Sequence, residues 1–192
     1  MRRALLCIDV INEIVDPRGK LAGKGYAAFC RDAGTLDRVA RLQHWCRAQA
    51  LPVIHVRVGF SPGYPEQPKH SPLFGKADQF GALQLGSWGT EFHPQALPAA
   101  GELVLVKHRV SAFYATSLEL CLRTAGVDEL IIAGVATDLA VDAAVRDAHD
   151  RDFAVILPGD CCAAASSADH QRSLTTLAKL AQVVTLAELE AR

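Results

Sequence analysis

Three short stretches of this sequence end in residue types that could do hydrolytic chemistry together. Asp9 follows the apolar run Leu5-Leu6-Cys7-Ile8, and Lys107 closes the run Leu103-Val104-Leu105-Val106. Gly134-Val135-Ala136-Thr137-Asp138-Leu139-Ala140 leads from a third run into a helical pattern. A carboxylate can give or take a proton, an ammonium beside it can hold its charge in place, and backbone N–H groups opening a helix present partial positive charge. Each also suits a plainer role. An Asp after a strand often caps a loop, a Lys there is usually solvated, and Thr137 with Asp138 can cap the helix that follows. Spacing alone leaves both readings open.

Bringing the three together requires strands that end at one rim. Short apolar runs occur at 4–10, 53–58, 103–107, 130–135, 153–157 and 181–184, without the alternation of a half-exposed sheet. Such runs suit strands covered on both faces. Between them lie helical spacings: Leu36, Val39, Ala40 and Cys46; Leu118, Cys121, Leu122 and Ala125; Val141, Ala144, Val145 and Ala148; Leu174, Leu177 and Ala178. Thr116 with Glu119 and Thr185 with Glu188 have capping-box spacing, and Gly126 stands where a helix-ending residue belongs. Strands alternating with helices predict an α/β fold with three layers, α/β/α, around a doubly wound, mostly parallel six-stranded sheet. Residues 1–192 read as a single domain. In such sheets the site lies beyond the C-terminal ends of the strands, which is where all three stretches end.

The stretch 59–102 breaks the rhythm. It is rich in Pro and Gly and carries Phe60, Tyr64, Phe74, Phe80, Trp88 and Phe92. A connection this long inside a compact domain is usually functional or disordered, and the aromatics argue for order. It is expected to wall a pocket or contact another subunit, although any single aromatic there suits simple packing against the core.

Composition narrows the partners. Twenty basic against twenty-one acidic side chains, with no long run of either sign, leave no electrostatic footprint for nucleic acid or anionic lipid. Asp9 interrupts the first apolar stretch before it reaches signal-peptide length, and no segment approaches a membrane span. Six cysteines without a C-x-x-C pair indicate neither a disulfide framework nor a zinc site. The expected partner is a small molecule, and the expected compartment is the cytoplasm.

Leu5-Leu6-Cys7-Ile8-Asp9-Val10-Ile11-Asn12-Glu13, Lys107-His108-Arg109-Val110-Ser111-Ala112-Phe113 and Gly134 to Val141 together resemble the three signature segments of the isochorismatase-like cysteine hydrolases. The similarity runs over nearly the whole chain and is most specific from Lys107 to Asp160. It implies a Rossmann-like hydrolase acting as a homodimer or homotetramer, with Asp9, Lys107 and position 140 as the catalytic set and a cis peptide between Val135 and Ala136. Substrate contacts are expected from Val135, Ala136, Thr137, Asn12 and Phe113, with Trp88 and Arg57 added from the long loop and the strand before it. In amidase members a cysteine at the third catalytic position attacks a carbonyl carbon; here that position is Ala140. Metal-binding members carry an Asp-x-His cluster where this chain reads Arg57-Val58-Gly59-Phe60-Ser61-Pro62, so neither a metal nor another cofactor is expected. The histidines lack ligand spacing, and His108, next to Lys107, is the one expected nearest the site.

Two functions follow, beside a non-catalytic alternative. Asp9 and Lys107 can hydrolyse a vinyl ether, or a related C–O or C–N bond, by acid–base chemistry without a cysteine, as the resemblance implies for true isochorismatases. Arg57, Arg109 and Lys107 are then the available partners for an anionic substrate. The other reading is an amide or ureide hydrolase whose nucleophile is replaced by Ala140. The non-catalytic alternative is a homologue that binds a small molecule and has lost the chemistry.

Overall fold

The computed structural model describes residues 1–192. Its elements alternate as the apolar runs require: β1 (Arg3–Ile8), α1 (Asn12–Val15), α2 (Tyr26–Ala33), α3 (Thr35–Ala48), β2 (Val53–Val58), α4 (Ala77–Phe80), β3 (Leu103–Lys107), α5 (Leu118–Thr124), β4 (Glu129–Val135), α6 (Asp142–His149), β5 (Ala154–Pro158), β6 (Cys162–Ala163), α7 (Ser167–Leu177), β7 (Gln182–Val184) and α8 (Leu186–Glu190). All pairings within the sheet are parallel, and the strand order is β3-β2-β1-β4-β5-β7. The expected six strands are all present, but the sheet has seven. The two-residue β6 pairs with the end of β4, Gly134 opposite Cys162 and Val135 opposite Ala163. A pairing this short leaves no apolar run long enough to signal it.

The central strand shows why the runs do not alternate. Leu5 and Cys7 face one apolar layer with Val39, Leu42 and Cys46 of α3, whereas Ala4, Leu6 and Ile8 face the other with residues of α5 and α6. All five are at most 2% exposed. Burial on both faces removes the polar half of the pattern. No helix is long and apolar enough to cross a membrane.

The helix punctuation is partly as expected. Thr185 and Glu188 form the capping box of α8. Gly126 takes a φ of 66° after α5, and the N–H groups of Gly126 and Val127 donate to Arg123 O and Leu122 O, a Schellman ending. The Thr116–Glu119 box does not form. Ser117 is the residue preceding α5, and the Thr116 hydroxyl instead accepts from Leu118 N–H and donates to Ala112 O.

The chain runs outward from β1 through β2 to β3 and then returns to lay β4 on the other side of β1. This reversal opens a crevice at the C-terminal ends of β1 and its neighbours. Asp9 and the segment after β4 lie at that crevice. The close approach of β4 to β1 depends on Gly134, whose φ is 126° and where an added Cβ would stand 2.0 Å from Ile8 O. Gly134→Ala is therefore expected to destabilise the protein by about 2–3 kcal/mol, since a strained φ and a backbone clash coincide. A denaturant midpoint equal to that of the parent would refute this account of the junction.

Residues 59–102 are ordered by their own packing. Phe60 is fully buried and meets Tyr64 and Phe74 with ring centroids 6.0 and 5.7 Å apart, and the Tyr64 hydroxyl donates to Ala82 O at 3.0 Å. The segment is tied down at its end by Glu102, which accepts from Arg47 at 2.7 and 2.8 Å and from Ala99 N–H at 2.7 Å, and pairs with His55 at 2.8 Å. Burial pushes the Glu102 carboxyl up, but these donors outweigh it and hold it at about 2.

Candidate active site

Asp9 is the first residue past β1, and its φ of 55° is a left-handed conformation that Asp tolerates better than most residues. The turn tucks its carboxylate under β2, where Oδ1 accepts from Val58 N–H at 2.7 Å. Lys107 ends β3, the next strand but one, and its ammonium reaches Asp9 Oδ2 at 2.8 Å. The same ammonium donates to Arg109 O at 3.1 Å and Val110 O at 3.0 Å, so its three protons have three acceptors. Asp9 is 3% exposed and Lys107 1%. Burial pushes the Asp9 carboxyl above its ordinary range, opposed by the charge and hydrogen bond of Lys107 and by Val58 N–H.

The third expected element packs against this pair. The Val135–Ala136 peptide is cis, and Thr137–Val141 forms a π-helical turn in which Val141 N–H donates to Ala136 O at 3.0 Å. Such turns occur mostly as single insertions and often at functional sites. Asp9, Lys107, Val135, Ala136, Leu139 and Ala140 share the wall of one cavity of about 70 Å³. Ile14, Leu21 and Tyr26 close it from the N-terminal helices, and Leu73, Phe74 and Leu83 from the long loop. Val58 and Val110 complete it. The loop thus does wall the pocket, through aliphatic side chains and Phe74.

Several expected substrate contacts lie elsewhere. Trp88 is 40% exposed, under the Arg18 guanidinium, and its carbonyl accepts from Asn12 Nδ2 at 3.0 Å. Asn12 is buried there, off the cavity wall. Arg57 donates to Thr90 O at 3.2 Å and lies over Phe92. Phe113 is buried in the opposite apolar layer against Phe153. Thr137 is buried, its hydroxyl 2.8 Å from His170 Nδ1. His108 turns from the cavity to Gly59 O at 2.7 Å and stacks on Phe60.

Two contributions had no sequence signal. Tyr26 lines the cavity, yet it opens α2 as an ordinary aromatic at a helix start. Glu13 is buried without a cation; its carboxylate accepts from Lys20 N–H at 3.0 Å and Leu83 N–H at 2.9 Å, which fixes both Leu83 and the strand of chain leading to Leu21. A Cβ at Gly89 would stand 2.5 Å from that carboxylate, so the long loop can close over it only with glycine there.

No cysteine lines the cavity. Burial pushes the thiols of Cys7, Cys30, Cys46 and Cys162 up to about 12 and raises Cys161 as well. No group of three or more His, Cys, Asp or Glu side chains is placed to hold a metal ion.

The isochorismatase domain model matches residues 3–188. The chain belongs to the isochorismatase family. Among relatives in this family, an uncharacterized isochorismatase family protein of Escherichia coli is 33% identical over 159 residues, covering 80% of each chain. A maleamate amidohydrolase of Pseudomonas putida is 30% identical over 183 residues, covering 95% of this chain and 82% of its own. The structure of an isochorismatase family protein from Desulfovibrio vulgaris superposes with a TM-score of 0.88 at 27% identity, covering 98% of this chain and 96% of that one.

Proposed function

We propose that this isochorismatase-family hydrolase cleaves a C–O or C–N bond of a small molecule by proton transfer at Asp9, with water and not a cysteine as nucleophile. The observation that carries the reading is the buried Asp9–Lys107 pair facing an apolar cavity whose turn position is Ala140. An apolar surround favours the neutral carboxyl, which is what a proton donor needs. For a vinyl ether, the Asp9 carboxyl gives its proton to the terminal vinyl carbon, and water adds to the carbon bearing oxygen. That water returns a proton to the carboxylate, and the hemiketal collapses to a carbonyl compound and an alcohol. Lys107 holds Asp9 Oδ2 in place. The test is turnover on a panel of vinyl ethers and amides by the parent and by Asp9→Asn; turnover that survives this substitution overturns the reading.

Activity should survive alkylation of the native protein by iodoacetamide, because the thiolate is the reacting species and the cavity contains no thiol. Loss of activity in step with labelling of Cys161 or Cys162 would show that the nucleophile is one of them.

The amidohydrolase relatives favour one further reading, an amide substrate and a replaced nucleophile. Under it, Ala140→Cys is expected to place a thiol beside Asp9 and Lys107 with a pKa below the ordinary value of about 8.5, and to confer amide turnover. An ordinary thiol that amides do not acylate would exclude that reading. We also propose that residues 1–192 form one unit that assembles as a homodimer or homotetramer; a strict monomer in sedimentation would contradict it.

A further inference from the structure

The cavity beside Asp9 offers no free positive charge. Lys107 is the only cation on its wall, and its three protons go to Asp9, Arg109 O and Val110 O. The nearby cations are committed elsewhere: Arg109 donates to Glu66 O at 2.8 Å and His108 O at 2.6 Å, Arg57 to Thr90 O, and Lys20 to Gly81 O. What remains for a ligand is aliphatic and aromatic surface and the Asp9 carboxyl. A carboxylate entering here gives up its hydration, meets another acid and finds no cation free to pair with it, which is costly for any buried charge. An amide, ether or ketone pays much less and can hydrogen-bond to the Asp9 carboxyl. The volume, about 70 Å³, is about half that of a cavity known to take benzene, so it admits a group smaller than an aromatic ring.

We infer that the part of the substrate entering beside Asp9 is small, apolar and uncharged, a short alkyl or alkenyl group on a neutral carbonyl, amide or ether, and that carboxylates are excluded from it. This rests on the reading of the cavity as the substrate site of the hydrolase proposed above, and it narrows that reading to a substrate class. Any charged portion of the substrate stays outside the rim at Leu73, which is 50% exposed.

The experiment is binding, followed on the leucine and valine methyl resonances of the full chain at neutral pH. The probes are propionamide, its anionic isostere propionate, and the larger neutral benzamide. Propionamide is expected to shift the methyls of Leu21, Leu83, Val110 and Leu139 with a Kd at least about 10-fold below that of propionate. Leu73→Arg places a guanidinium at a tolerant, half-exposed rim position and should raise propionate affinity by about 10-fold or more. Equal or tighter binding of propionate by the parent at these methyls overturns the inference, as does the absence of any shift with propionamide. Failure of Leu73→Arg to recruit propionate counts against the missing cation as the cause. Benzamide binding more tightly than propionamide refutes the size limit. Binding needs no turnover, so propionamide binding by Asp9→Asn supports the substrate class even if proton transfer at Asp9 is disproved. Hydrolysis of an anionic substrate, with propionate on the same methyls, overturns the class and leaves proton transfer standing.

Discussion

Asp9→Asn is expected to lower turnover on the true substrate by about 10²–10⁴-fold, the range that a positioned acid or base contributes. The amide has nearly the shape of the carboxyl but can neither give nor take the proton. Its effect on folding is expected to be smaller than its effect on rate. The Lys107 ammonium keeps two of its three acceptors, Arg109 O and Val110 O, and the asparagine oxygen can still accept from either Val58 N–H or Lys107. The measurement is kcat and KM of parent and variant, beside their thermal unfolding curves. A variant that folds, binds substrate and has lost only kcat has lost a group acting in the transition state. If instead the folded variant retains full turnover, general acid catalysis at this carboxyl is wrong and the cavity is better regarded as a binding site.

The sequence made the frame of this site legible because strand ends are local signals. Asp9 and Lys107 each close an apolar run, and the doubly wound order carries such ends to one rim, where Lys107 Nζ lies 2.8 Å from Asp9 Oδ2. The segment from Gly134 to Ala140 was equally readable, since a run passing directly into a helical period marks the turn that faces the rim. The wall of the cavity was not. Leu73, Phe74 and Leu83 belong to a connection without periodicity, and which of its side chains turn inward is decided by distant partners, chiefly Glu13 seventy positions from Leu83. Large aromatics drew the reading toward Trp88 and Phe113, but Trp88 ends under Arg18 outside the cavity and Phe113 in the opposite layer. Arg57 looked available because its register was unknown. On β2 it is opposite Val106 of β3, and it is drawn instead to Thr90 and Phe92.

Lys107→Met is expected to destabilise the fold by about 3–5 kcal/mol at neutral pH, the cost of breaking one half of a buried ion pair. Methionine replaces most of the aliphatic stem, so the loss is electrostatic. It leaves Asp9 with Val58 N–H as its one remaining partner and deprives the Arg109 and Val110 carbonyls of a donor. The penalty should depend on pH in a definite direction. Burial already raises the Asp9 carboxyl above 3.8, and Lys107 is the main force opposing that rise, so removing it raises the carboxyl further. A carboxyl with a folded value above its unfolded one holds a proton in the native state that the unfolded chain has released. Its burial therefore costs nothing below about 3.8, costs progressively more as pH rises through the window up to the folded value, and costs its full amount above it. In Lys107→Met that window extends higher. The stability gap between parent and variant should thus narrow as pH falls from about 8 to about 5, where the variant relieves its unpaired charge by binding a proton. The alkaline limb of any activity profile should move upward with it, because a group that donates the proton must hold it to act. Denaturant unfolding at several pH values measures the gap directly. A penalty below about 1 kcal/mol, or one that does not change with pH, would mean that Lys107 does not carry the charge that holds Asp9.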